Sequence, residues 1–263
     1  MKKLQILIVA FFVSVFVTST AMAAGGGNVD LDEAHVKMND KASLQNGAKL
    51  FMNYCLSCHS ASYARYNQVA RDLDISEALL IENLMFTTEK VGDLMTTTMP
   101  AEDSKRWFGV TPPDLTLVSR VRKRDWVYTY LRAFYRDDSS PSGWNNSLFE
   151  NVAMPHALYE LQGVQNKVGK VDLEELHRGH GSDEHADEDR IIVGDTEFEI
   201  VHPGKLTPAE FDKAMLDLTA FLVYLAEPAQ LQRKTIGVLT IGFLIILMIL
   251  AYLLKKEFWR DVH

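Results

Sequence analysis

Residues 55–59 read Cys55-Leu56-Ser57-Cys58-His59, and Cys55 and Cys58 are the only cysteines among the 263 residues. Two lone cysteines are compatible with a disulfide in an oxidising compartment, or with a redox-active dithiol. The histidine directly after the second one points elsewhere, because C-x-x-C-H is the attachment signature of haem c. Spacing by three at a helix start puts both sulfurs on one side, ready to add to the two haem vinyl groups. His59 then faces the iron as the proximal ligand. A zinc site is excluded, since no second CxxC or matching histidine pair supplies the remaining ligands.

Working outward, Ser43 is expected to cap a helix whose apolar face is Leu44, Gly47, Ala48, Phe51 and Cys55. Gly47 leaves room for another helix to cross closely. The matching partner runs from Thr207 to Ala226. It opens on Thr207-Pro208-Ala209-Glu210, an N-cap threonine, a proline at the first position and a capping-box glutamate. Its face is Phe211, Ala214 or Met215, Leu218, Phe221, Leu222 and Leu225, and Pro228 stops it. Two terminal helices crossing over a haem predict a mainly α, class I cytochrome c-like domain.

The two ends of the chain set its compartment. Lys2 and Lys3, an apolar run from Leu4 to Val17 and the close Ala21-Met22-Ala23 describe a secretory signal peptide over residues 1–23. Near the other end, Ile236 to Leu254 is 19 residues without a charge. As a helix it is about 28 Å long, enough to cross a bilayer. Arg233 and Lys234 precede it, while Lys255, Lys256 and Arg260 follow, so flanking charge orients it only weakly. The signal peptide decides the direction. Residues 24–232 are expected in the periplasm, 233–256 as a single anchor with its flanks in the lipid of the inner membrane, and 257–263 as a cytoplasmic tail. Net charge is −8, and −10 once Lys2 and Lys3 leave with the signal. So acidic an exported domain has no electrostatic footprint for nucleic acid and suits a basic soluble partner.

A haem c iron with a second protein ligand takes histidine or methionine, and methionine raises the potential. The methionines between His59 and the last two helices are Met85, Met95, Met99 and Met154, while Met215 lies on the packed helix face and reads as core. Met99 and Met154 each precede a proline, in Thr98-Met99-Pro100-Ala101 and Ala153-Met154-Pro155-His156. Proline forces a loop, which suits presenting a sulfur to iron. Loop chemistry does not separate the two. His156 is a weaker rival for the same position. His177, His180 and His185 stand in an acidic run, but glycines, charges and the lack of apolar periodicity make that stretch a solvated loop rather than a metal site.

Several segments, in this order, resemble the cytochrome c1 family, the haem subunit of the cytochrome bc1 complex (ubiquinol–cytochrome c reductase). They are Asn46-Gly47 through Cys55-Leu56-Ser57-Cys58-His59-Ser60; Pro112-Pro113-Asp114-Leu115-Thr116; Arg120-Val121-Arg122; Asp125-Trp126-Val127-Tyr128; Asn151-Val152-Ala153-Met154-Pro155; and Phe221-Leu222-Val223-Tyr224-Leu225-Ala226-Glu227-Pro228, with Arg233-Lys234 and Gly237 leading into the anchor. The likeness covers roughly residues 43 to 255. CxxCH marks any cytochrome c, whereas the AEP…RK–helix ending is far more specific.

The resemblance implies one covalent haem c on Cys55 and Cys58, with His59 and Met154 on the iron, so that it selects Met154 over Met99. It implies that Arg122 holds a haem propionate, for which a guanidinium fork is suited. It also implies that Pro112 and Pro113 place a carbonyl against the other nitrogen of His59. A tyrosine common in the family stands where this chain has Trp126. Residues 167–190 look like a family-variable insertion. The function implied is one-electron transfer from a Rieske iron–sulfur protein to a soluble c-type cytochrome, beside cytochrome b in a dimeric multi-subunit complex. The rival readings are a membrane-anchored cytochrome c feeding a terminal oxidase, and an enzyme or gas sensor with an open sixth iron position.

Overall fold

The computed structural model describes residues 30–172 and 190–260. The expected signal peptide and most of the acidic run, with His177, His180 and His185, lie outside them. The order of elements is α1 (Lys41–Leu50), β1 (Ala61–Arg65), α2 (Tyr66–Asp72), α3 (Glu77–Asn83), β2 (Leu94–Met95), α4 (Ala101–Phe108), α5 (Arg124–Arg132), β3 (Phe134–Arg136), β4 (Trp144–Asn146), β5 (Gly163–Lys170), β6 (Arg190–Val193), β7 (Thr196–Pro203), α6 (Pro208–Ala226) and α7 (Gln230–Phe258). Single helical turns at Val118–Val121 and Tyr159–Gln162 complete it. The architecture is mainly helical, as expected.

The core is the crossing of α1 over α6. A Cβ placed on Gly47 would lie 2.1 Å from the Asp217 carbonyl oxygen and 2.7 Å from Phe221 Cβ, so no larger residue fits the crossing. Phe51 and Phe221 pack at 5.6 Å just beyond it. Leu44, Ala48, Met215, Leu218 and Leu225 are buried around them, which places Met215 in the core as its spacing predicts. Helix α6 starts as the sequence indicates. The Thr207 hydroxyl accepts from Glu210 N, and the Glu210 carboxylate accepts from Thr207 N at 2.9 Å.

Helix α1 begins differently. Its N-cap is Asp40, whose carboxylate accepts from Ser43 N at 3.1 Å. Ser43 lies one turn inside, and its hydroxyl donates to Asp217 at 2.6 Å. Asn46 and Lys213 donate to the other oxygen of the same buried carboxylate. A buried charge needs such partners, so Ser43 serves the helix crossing rather than the helix end.

A three-stranded antiparallel sheet, in the order β5-β7-β6, adds a β element that helical periodicity alone does not suggest. Residues 167–170, read as the start of a loop, are the end of β5. Strands β6 and β7 meet at a tight turn where Gly194 takes φ +61, and inward Phe198 is fully buried beneath it.

At the far end, Glu227, Pro228 and Ala229 separate α6 from α7. Glu227 pairs with Arg233 at 2.5 Å, and Arg120 of the turn Val118–Val121 reaches it at 3.9 Å. Thr235–Phe258 of α7 is long and apolar enough to cross a membrane, and its apolar stretch is exposed among the described residues. The helix outruns the uncharged stretch 236–254 at both ends. Its 24 residues span about 36 Å, which leaves room for tilt.

Candidate functional site

The segment bearing the two cysteines leaves α1 through a π-helical turn, Phe51–Cys55, where Leu56 N donates to Phe51 O at 3.0 Å. Wide turns of this kind re-aim the chain at functional sites. Cys58 N and His59 N both donate back to Cys55 O, at 3.0 and 2.8 Å, which closes the CxxCH turn. Cys55 and Cys58 form no disulfide with each other. Burial, with the nearby Cys58 sulfur adding to it, pushes the Cys55 thiol up to about 12.

His59 is held from one side. Its Nδ1 lies 2.7 Å from the Pro113 carbonyl oxygen. A carbonyl only accepts, so Nδ1 carries the proton and Nε2 keeps its lone pair for a metal. Burial lowers the imidazole below its ordinary range, with Pro113 and Asp114 pulling back, which favours the neutral ring. The Pro113 loop is itself pinned to the residues after His59. Leu115 N donates to Ser60 O, and the Asp114 carboxylate accepts from Ser62 N, Thr116 N and the Thr116 hydroxyl at 2.5–2.8 Å. On the other flank the Thr97 hydroxyl donates to Ser57 O at 2.8 Å, and Thr97 N donates to the Ser60 hydroxyl. Met99 N donates to Thr97 Oγ1 at 3.1 Å, which ties the Met99 backbone to this same side.

Met154 belongs to a second wall, built on α5. Arg132, nearly buried, clamps that helix in place with paired bonds to Asp212 of α6 and a 2.6 Å ion pair to Asp32. Trp126 and Tyr130, one turn apart, stack at 4.8 Å with ring planes 12° apart. Phe134 meets Tyr130 edge-on at 5.2 Å, and the His156 ring lies flat on Phe134 at 5.0 Å. The Tyr130 hydroxyl donates to Met154 Sδ at 3.4 Å. The loop carrying Met154 is fixed through Asn146, whose side-chain oxygen accepts from Leu148 N and Phe149 N while its amide donates to Tyr130 O. Asn151 in that loop takes φ +58, a conformation asparagine tolerates.

His156, two residues on, is 2% exposed and closed in between Phe134 and Trp144. Burial pushes it down to about 3, against a small opposing effect of Gln162, so it is a neutral member of the aromatic packing. Arg122 stands where the row opens. Its guanidinium lies 5.0 Å over the Trp126 ring and 6.0 Å from that of Phe149. Arg120 pairs with Glu227 and Arg124 with Asp125. Among the described residues Arg122 pairs with no carboxylate, which leaves it free for an acidic group of a ligand.

A family model described as Cytochrome C1 family matches residues 32–175 and 199–262. The chain belongs to the cytochrome c1 family. A cytochrome c1 of Allochromatium vinosum is 49% identical over 98% of this chain and 99% of its own length. A protein of Nitrosomonas europaea named ammonia monooxygenase gamma subunit is 40% identical over the whole of both chains. The cytochrome c1 of Cereibacter sphaeroides is 22% identical over 92% of this chain and 90% of its own. The unmatched stretch, 176–198, holds the three histidines of the acidic run.

Membership implies a haem c cofactor and a haem subunit of bc1-type complexes. The residues present fit such a group. Two thiols sit on one turn, an imidazole has its distal nitrogen free, a thioether stands on a separate wall, and an unpaired guanidinium lies beside that wall. The exposed apolar helix α7 is consistent with the single-pass anchor of a cytochrome c1. Sequence reasoning reached all of these except Tyr130. The signal for it was present: Trp126 and Tyr130 stand four apart, which places them on one face of α5, with Phe134 following at the start of β3.

Proposed function

We propose that this chain is the one-electron carrier of a respiratory quinol–cytochrome c reductase. It takes electrons from the Rieske iron–sulfur protein beside cytochrome b and passes them to a soluble c-type cytochrome. The observation that carries this reading is the donor set: His59 with its Nδ1 spent on Pro113, and Met154 presented by a wall of its own. Cys55 and Cys58 hold one haem c covalently, and Arg122 holds a propionate. The haem, when bound, supplies the reversible one-electron chemistry.

The chain's own residues do the rest. Pro113 fixes the imidazole tautomer, and Asp114 holds the Pro113 loop against residues 60–62. Met99 is tied through Thr97 to the segment that carries His59, whereas Met154 stands in a separate loop against Tyr130 of α5, which suits it as the second ligand the haem would take. With both faces filled, no substrate binds at the iron. The haem domain, 24–232, lies in the periplasm after removal of residues 1–23, the tail 257–263 lies in the cytoplasm, and the parent complex is dimeric. The acidic domain attracts a basic cytochrome by long-range steering.

The test is to solubilise membranes gently, capture the chain by a C-terminal tag and record reduced-minus-oxidised spectra. Co-purified b-type haem together with a Rieske electron paramagnetic resonance signal is the expected result. A c-type spectrum alone, or one accompanied by oxidase haem and copper, contradicts it and favours a cytochrome feeding a terminal oxidase.

A further inference from the structure

Tyr130 does more than fill space behind Met154. Its hydroxyl lies 3.4 Å from Met154 Sδ and makes no other hydrogen bond with a described residue. A thioether only accepts, so the phenol is the donor. The ring cannot swing away, because Trp126 covers one face, Phe134 meets its edge and Asn146 holds its backbone carbonyl.

We propose that Tyr130 is a positioning residue for the electron-transfer centre, whose hydroxyl orients the Met154 sulfur and raises the reduction potential by drawing electron density from it. The proposal rests on the reading of Met154 as an iron ligand. A thioether sulfur has two lone pairs; one directed at iron leaves the other for the phenol. The oxidised iron carries the greater charge and gains most from sulfur donation, so weakening that donation favours the reduced form. Sulfur is a weak acceptor, so the effect is a tuning one. It amounts to a few-fold to tenfold change in the reduced-to-oxidised ratio at fixed ambient potential, where tenfold is about 59 mV for one electron.

The experiment uses the full chain in membranes. Tyr130→Phe keeps the ring and its stack and removes only the hydroxyl. Covalent haem and the long-wavelength methionine–iron band are retained, and the potential falls by an amount equivalent to a few-fold to tenfold shift. Tyr130→Leu removes the ring as well; if the hydroxyl is the cause, its potential falls by a similar amount. An unchanged potential in Tyr130→Phe, or a shift confined to Tyr130→Leu, overturns the proposal and leaves ring packing as the only role. Failure of the underlying reading shows separately, as a methionine–iron band that survives in Met154→Leu.

Discussion

On the His59 side of the site, position is set by backbone: the CxxCH turn folds onto Cys55 O, the Pro113 carbonyl accepts from His59 Nδ1, and Asp114 and Thr97 tie neighbouring loops to the same few residues. On the Met154 side it is set by side chains. An aromatic row on α5 backs the methionine, and Arg132 holds that row against α6. The difference separates a locally written turn from a wall assembled by packing. A short run of sequence specifies the CxxCH turn, while packing between distant segments specifies the wall against which Met154 stands.

The largest effect that tests this division is on attachment. Replacing Cys55 and Cys58 together by serine removes covalent haem entirely, read by haem staining of denatured protein, whereas Met154→Leu leaves that stain intact. Loss of covalent haem in Met154→Leu would erase the division. A smaller effect is expected at the helix crossing that leads into Cys55. Gly47→Val forces atoms into the Asp217 carbonyl and costs about 3 kcal/mol or more, read as a lower melting temperature. A variant that melts like the parent would mean that the crossing does not fix the His59 side.

The smallest effect is at Asp114. Burial opposes its charge, yet the bonds from Thr116 and Ser62 win and hold the carboxyl below its ordinary range. Its contribution to stability is therefore full above the unfolded carboxylate value of about 4 and is lost as pH falls through the lower folded value. Asp114→Asn removes roughly 1 kcal/mol at neutral pH and flattens that acid dependence, read from urea midpoints at neutral and acid pH. An unchanged slope would free the Pro113 loop from any dependence on this carboxylate.

How much of the molecule was legible follows the same division. The CxxCH run and the α6 cap are each written within four or five consecutive residues, and the structure shows the cap as read. Gly47 was readable because only glycine permits so close a crossing. Ser43 misled because a serine near a helix start is usually a cap, while here Asp40 stands three residues earlier and Asp217, 174 residues away, claims the hydroxyl. The sheet was missed because strand β5 runs into a charged, glycine-bearing stretch whose partner begins beyond residue 190. Tyr130 was missed because its meaning depends on Met154, which no local pattern connects to it.

The most direct test is the methionine–iron band in two single variants, Met154→Leu and Met99→Leu. Two walls with the second ligand carried by the α5 side predict that the band disappears in Met154→Leu and persists in Met99→Leu. A band that persists in Met154→Leu and disappears in Met99→Leu would put both ligands on the backbone-built side and contradict the account.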